Sequence, residues 1–460
     1  MKSEHSKLST KKVALLVIIV GIVVAGGMLG IFLIKFSGNQ NENPGITENE
    51  NMWQISTVAH ISPTDYPSPS IAVDSRCGIH ICFNDGSIKY AYKPLNGKYW
   101  NISIIENPNS GIPKYCSLTL DANDGVHVCY TIHKSDMKID DVLKYAHKSR
   151  ENNSWKIIQI APTEDTKGKI TFGDVSIFVD SKKDIYICYR EALVNSSTFI
   201  YDSLKYCFKQ SNQEGWKIST IEYTNNSSKS IAASSSIGVD SQGNIYIVYS
   251  YWNYWMVYKD KIYLKCAYKL EGNSWKITIV DNSATAGEYC SLAIDSNNGI
   301  HISYMDYVNL SSPNPKSVLK YAYKSKDGDW EISVVDPTPK VGGWTSIAVD
   351  QKGGVHISYY DYKNGSLKYA YKPKNGSWIT MTVDNSAPVV GEYSSIAVDK
   401  EGGVHIVYYA HSQRAIKYAY KPPSNSFTKN TQKNFTDSNI SFSYSYIAGE
   451  WKIRFKVMDI

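Results

Sequence analysis

The sequence predicts an all-β fold, a seven-bladed β-propeller of four-stranded antiparallel blades, preceded by one N-terminal transmembrane helix. Three observations predict it. A phrase of serine, three apolar residues and aspartate, followed by a short polar turn and a strand, recurs seven times, first at Ser70 to Asp74 and last at Ser395 to Asp399. Its aspartates, Asp74, Asp121, Asp180, Asp240, Asp295, Asp350 and Asp399, stand 47, 59, 60, 55, 55 and 49 residues apart, which is the spacing of propeller blades or solenoid units. An apolar stretch over 13–36, interrupted only by Lys35, precedes them all.

About 20 apolar residues cross a bilayer as a helix, so 13–36 is long enough to span. Lys2, Lys7, Lys11 and Lys12 lie before it and only Lys35 follows closely, which places residues 1–12 in the cytoplasm and the repeats outside the cell. Ala25, Gly26 and Gly27 also fit a cleaved secretory signal. Both readings export the repeats. Residues 37–52 read as a polar linker, 53–421 as the propeller, and 422–460 as a polar insert with a C-terminal hairpin packed on it.

Blade six is the cleanest copy. SIAVD and VHISYY, joined by a polar glycine turn, read as strands one and two of a hairpin. SLKYAYK at Ser366 to Lys372 alternates as strand three, and WITMTVD from Trp378 as strand four, with a crossover, APVVGEYS, leading to the next blade. Outer strands begin with Trp100, Trp155, Trp216, Trp275, Trp330 and Trp378, but Trp53 and Trp451 make eight for seven blades. A ring closed by one terminal strand leaves no open edge. Trp53 to Val58 is therefore expected to close blade seven, with Trp451 the alternative.

Composition excludes some functions. The net charge is +6, and much of it is one lysine per blade (Lys89, Lys144, Lys205, Lys265, Lys320, Lys368, Lys417), which is no nucleic-acid stripe. Ten N-x-S/T sequons, including Asn364 and Asn375 in predicted loops, suit an exported glycoprotein. The eight cysteines show no zinc spacing; they read as small buried thiols, with Cys116 and Cys129 the pair to test for a bridge. His80, His127, His301, His356 and His405 hold one equivalent place in five blades, so they are expected to pack beside the turns and not to converge on a metal. No cofactor is expected.

The SIAVD, HISY, LKYAYK and W elements, from Trp53 to Lys421, resemble exported bacterial and archaeal propeller repeats grouped loosely with the sialidase-like, or BNR, superfamily. Sialidase chemistry, as that resemblance implies it, needs three arginines on a substrate carboxylate, a tyrosine nucleophile with a glutamate partner, and an acidic aspartate. The chain has five arginines, Arg76, Arg150, Arg190, Arg414 and Arg454, which do not assemble a triad, and its recurring aspartate is not a clean Asp-box. A propeller fold by itself names no reaction.

Function is expected where the repeat varies on the channel face. The ring before strand one is Ser68, Tyr115, Asp174, Ser234, Tyr289, Trp344 and Tyr393, and the ring after strand two is Asp85, Ile132, Glu191, Tyr251, Asp306, Asp361 and Ala410. Blades five to seven combine Tyr289, Trp344 and Tyr393 with Glu288, Glu392, Asp306 and Asp361. Aromatic faces stack on sugar CH groups while carboxylates accept from hydroxyls. The reading is a membrane-anchored extracellular module that binds a glycan or protein partner. The alternative is a glycoside hydrolase or lyase using those acids, or Glu191 beside Arg190.

Overall fold

The structure, a computed structural model, describes residues 53–423 apart from the short segments 63–66, 109–110, 137–139, 153, 163–167, 196–197, 254–260, 284 and 309–315. It also describes the backbone of the strands Val20–Ala25, Met28–Leu33, Lys433–Asp437, Ile440–Ile447 and Glu450–Val457. The spanning helix expected over 13–36 otherwise falls outside the described residues; within it Val20–Ala25 pairs antiparallel with Met28–Leu33. Among the described residues no helix is long and apolar enough to cross a membrane.

Seven four-stranded antiparallel sheets form the blades. Blade six runs Val341–Val349, Val355–Asp361, Ser366–Lys372 and Ile379–Asp384. Blade seven takes its outer strand from the other end of the domain: Val390–Val398, Val404–Ala410 and Ala415–Lys421 are completed by Gln54–His60. Trp53 thus begins the closing strand, whereas Trp451 lies in a separate three-stranded sheet of the tail. In blades two to seven the inner strands begin earlier than the SIAVD phrase, so most of the stretch read as crossover between blades six and seven (Val390 to Ser394) is already strand.

Each repeated residue type has a job at a blade boundary. The serine of the phrase accepts a hydrogen bond from the inner-strand backbone of the next blade at all seven junctions, from Leu118 N to Ser70 Oγ at 3.0 Å through Ile396 N to Ser346 Oγ at 3.2 Å to Ile71 N on Ser395 Oγ at 3.3 Å. The outer-strand tryptophan sets its ring edge-on against a third-strand tyrosine of the preceding blade. Trp155 meets Tyr90, Trp378 meets Tyr321, Trp53 meets Tyr369 and Trp100 meets Tyr418, all at 5.1–5.4 Å. Such pairs add to the apolar burial that joins blades.

The third-strand lysines neutralise acids and leave no basic stripe. Asp336 at the end of blade five accepts from Tyr359 at 2.7 Å and Lys368 at 2.5 Å of blade six. Asp281 and Asp384 receive Tyr304 with Lys320 and Tyr408 with Lys417 in the same way. Buried acids are tolerated when charge and hydrogen bonds are both matched. All eight cysteines are buried and free. Cys116 meets Cys82 of blade one at 3.2 Å, in place of the expected Cys129, which pairs in register with Ser117. Neighbouring blades approach more closely here than diagonal positions within one blade.

Candidate functional site

The two ends of the propeller differ. At the end carrying the turns between strands one and two, each phrase aspartate binds its own turn. Asp350 Oδ1 accepts from Lys352 N at 2.8 Å and Gly354 N at 2.7 Å, and Oδ2 meets His356 Nε2 at 3.0 Å, whose Nδ1 contacts the Tyr369 hydroxyl at 2.7 Å. The same His–Asp–Tyr arrangement recurs at His80, His301 and His405. These four histidines hold turns.

At the opposite end, the channel mouth, Tyr289, Trp344 and Tyr393 come together from three successive blades. Trp344 lies 5.2 Å from Tyr289 and 5.0 Å from Tyr393 between ring centroids. Tyr360 and Tyr362 extend the cluster, 5.4 and 5.6 Å from Trp344. Tyr362 is 39 % exposed and Tyr360 is buried, so the cluster is a half-covered aromatic platform.

Backbone conformation places these rings. Tyr289, Trp344 and Tyr393 have φ of 51°, 43° and 51°, a left-handed conformation unusual for bulky residues and costing about 1–2 kcal/mol each. The inner strands of blades five to seven each break register twice here, between Ala286 and Glu288 and between Glu288 and Ser291 in blade five. Bulges re-aim side chains, and strained backbone clusters where function needs a fixed geometry. Two residues earlier stand Gly287, Gly342 and Gly391, with φ of 122°, 102° and 109°. A Cβ on Gly391 would lie 2.6 Å from Leu367 Cα of blade six, and one on Gly287 2.9 Å from Leu264 Cα. The G-x-aromatic pattern is thus the local sequence cause of the platform, and the inner-ring alignment overlooked it.

Two acids flank Trp344. Burial pushes Glu288 up to about 7, against a hydrogen bond donated by Tyr307. Burial also raises Glu392, opposed by His411, whose Nδ1 lies 3.3 Å away. Blade six carries Gly343 at the corresponding place, and a Cβ there would sit 2.4 Å from the Tyr362 hydroxyl. That gap lets Tyr362 reach across and donate to the Tyr289 hydroxyl. Tyr307, Tyr360 and Tyr362 were missed from sequence because their positions follow from the bulges.

Asp306 and Asp361 are committed elsewhere. Asp306 is 4 % exposed and held by Thr285 Oγ1 and Lys320 Nζ, both at 2.6 Å. Asp361, 2 % exposed, caps the loop through Lys363 N at 2.9 Å and Asn364 Nδ2 at 2.8 Å. The ring after strand two mostly serves the third-strand lysines, as Asp85 with Lys89 and Glu191 with Lys205 show. Arg190 pairs with Asp202 at 2.8 Å, and Arg150 with Asp124 at 3.1 Å at the turn end. Neither joins an arginine clamp.

No protein-family model matches the chain, and no curated protein does. Solved structures do. The polysaccharide lyase PL25-Ulvanlyase is 10% identical with a TM-score of 0.51, covering 82% of this chain and 96% of its own. An alpha-L-arabinanase of Penicillium chrysogenum, complexed with arabinobiose, is 9% identical with a TM-score of 0.50, covering 81% and 98%. A leech intramolecular trans-sialidase covers 82% and 92% at 10% identity and a TM-score of 0.46. With the seven four-stranded sheets, the likenesses to the lyase and the arabinanase define the fold class alone, a seven-bladed β-propeller.

Proposed function

We propose that this propeller is a carbohydrate-binding module whose site is the platform of Tyr289, Trp344 and Tyr393 with Glu288 and Glu392, displayed outside the cell by an anchor over 13–36. The observation that carries the reading is the convergence of three left-handed aromatic residues from adjacent blades, with Tyr289 and Tyr393 each about 5 Å from the central Trp344. Each is paid for in backbone strain, which packing alone does not require. Aromatic rings tilted against one another offer faces to pyranose or furanose CH groups, and Glu288, protonated through most of the acid range, donates to a sugar hydroxyl. The platform's own acids disfavour anionic sugars above neutrality, so neutral glycans are the favoured class.

A second reading rests on the Tyr307–Glu288 hydrogen bond beside Tyr289. A carboxyl with its proton released near 7 is suited to general acid catalysis, so a glycoside hydrolase or lyase using Glu288 is the alternative. The test is a glycan array probed with the full-length chain in detergent, followed by incubation with each bound oligosaccharide and product analysis. Binding without cleavage supports the module. Cleavage lost in Glu288→Gln with binding kept supports the enzyme, and an array with no bound glycan sinks both.

A further inference from the structure

Blade two departs from the turn-end pattern at one residue. In blades one, five, six and seven a third-strand tyrosine (Tyr92, Tyr323, Tyr371, Tyr420) packs against the turn histidine, 4.8–4.9 Å between ring centroids. Blade two carries His147 there, directly opposite His127 in the ladder, with ring centroids 4.5 Å apart. The donor atoms of Asp121, His127 and His147 all lie within 4.8 Å of one another.

The local bonding differs too. His127 is 4 % exposed and its Nε2 is buried without a hydrogen-bond partner; Asp121 Oδ2 stands 3.4 Å away, where the other blades show 2.9–3.1 Å. Asp121 Oδ1 is taken by Asn123 N and Gly125 N, which leaves Oδ2 as the outward donor atom. His127 Nδ1 lies 2.7 Å from the Tyr145 hydroxyl. With Nδ1–H donating to that oxygen, the Nε2 lone pair points at the cluster, the orientation that ligating histidines obtain from an outer partner.

We propose that Asp121, His127 and His147 form a site for a divalent transition-metal ion, with Zn2+ the best match. Two imidazoles and one carboxylate are a zinc donor set, and a tetrahedral ion with bonds of about 2.0–2.2 Å needs donor atoms roughly 3.3–3.6 Å apart. The His127–Asp121 pair already has that spacing, and His147 closes on it by a small rotation. Lys183 of blade three now lies 3.5 Å from Asp121 Oδ2; it is 42 % exposed by side chain and swings into solvent when the ion arrives. A bound ion ties together the turn and two strands of blade two, a cross-link that the other blades make with hydrogen bonds.

The test is titration of the chelator-stripped full-length chain with Zn2+ by calorimetry and with Co2+ by visible absorption. The wild type is expected to take one equivalent and to give the intense absorption of four-coordinate Co2+. His147→Tyr and His147→Phe install the residues native to other blades, with Phe208 the precedent for the latter. With the metal-free melting temperature unchanged, both are expected to weaken binding at least 100-fold. No stoichiometric binding by the wild type, or equal affinity in both folded variants, overturns the site.

Discussion

The turn end and the channel mouth are built from the same repeat, yet they spend it differently. At the turn end four blades place the same histidine between the same aspartate and tyrosine, and every polar atom in that arrangement has a partner. At the mouth, three neighbouring blades hold bulky aromatics in a left-handed conformation beside two acids whose proton affinity burial has raised. The first pattern stabilises the fold through matched hydrogen bonds; the second sets packing against backbone strain and carboxyl burial. Left-handed residues also occur in the turns, at Cys77, Asp124, Lys183 and Asn298, but among the described residues aromatics take that conformation only in these three adjacent blades, and that marks where the molecule has been shaped for something other than its own stability.

The sharpest way to break this comparison is to cut the turn end. Asp350→Ala removes two turn hydrogen bonds and strands the buried His356, and should cost about 2–4 kcal/mol, read as a shift in denaturation midpoint, while glycan affinity stays within twofold. Trp344→Gly probes the mouth. Its lost packing is offset by relief of the left-handed strain, leaving about 1 kcal/mol or less of destabilisation, but glycan affinity should fall about 30-fold or more. A ring that served only as a plug gives the reverse: a large loss of stability and no change in binding.

Acidity separates the two ends with opposite signs. Burial opposes it, but the His356 contact and the turn N–H groups hold Asp350 below its ordinary 3.8. Its stabilisation is therefore present above that value and lost as pH falls through the lower folded one. Glu288 is raised from 4.5 to about 7, so the fold favours its neutral form. Stability from this group is full below 4.5, declines as pH rises to about 7, and is constant above. Glu288→Gln should match the wild type at pH 4.5 and exceed it by roughly 1–2 kcal/mol at pH 8, allowing for solvent screening. Melting curves at the two pH values check the sign. The smallest expected effect is Ser346→Ala, which removes one inter-blade hydrogen bond to Ile396 N and costs about 0.5–1.5 kcal/mol without touching the platform.

The period of the phrase made the fold legible, because a blade boundary must bury the same apolar positions each time. The surplus Trp53 made the closing strand legible for a related reason: its ring needs Tyr369 of blade six beneath it. The aromatic trio was also readable, as departures from the repeat. What sequence alignment could not supply was side-chain direction. Asp306 and Asp361 align with the mouth but are consumed by Lys320 and by a loop cap, contacts set by three-dimensional neighbours. Tyr307, Tyr360 and Tyr362 join the cluster only because each inner strand bulges, and the glycines that permit the bulges were visible at Gly287, Gly342 and Gly391. His147 is a single exchange within a regular strand, and its meaning emerges only when it stands opposite His127.

Hydrogen exchange of the full-length chain, with and without the tightest glycan from the array, tests the central claim most directly because it locates the ligand. Protection is predicted over 286–291, 341–346, 360–365 and 390–395, the bulged inner strands and the loop that carries Tyr362, with the turn end unchanged. Protection confined to the turns around 74–80 and 350–356, or to the grooves between outer strands, would contradict it.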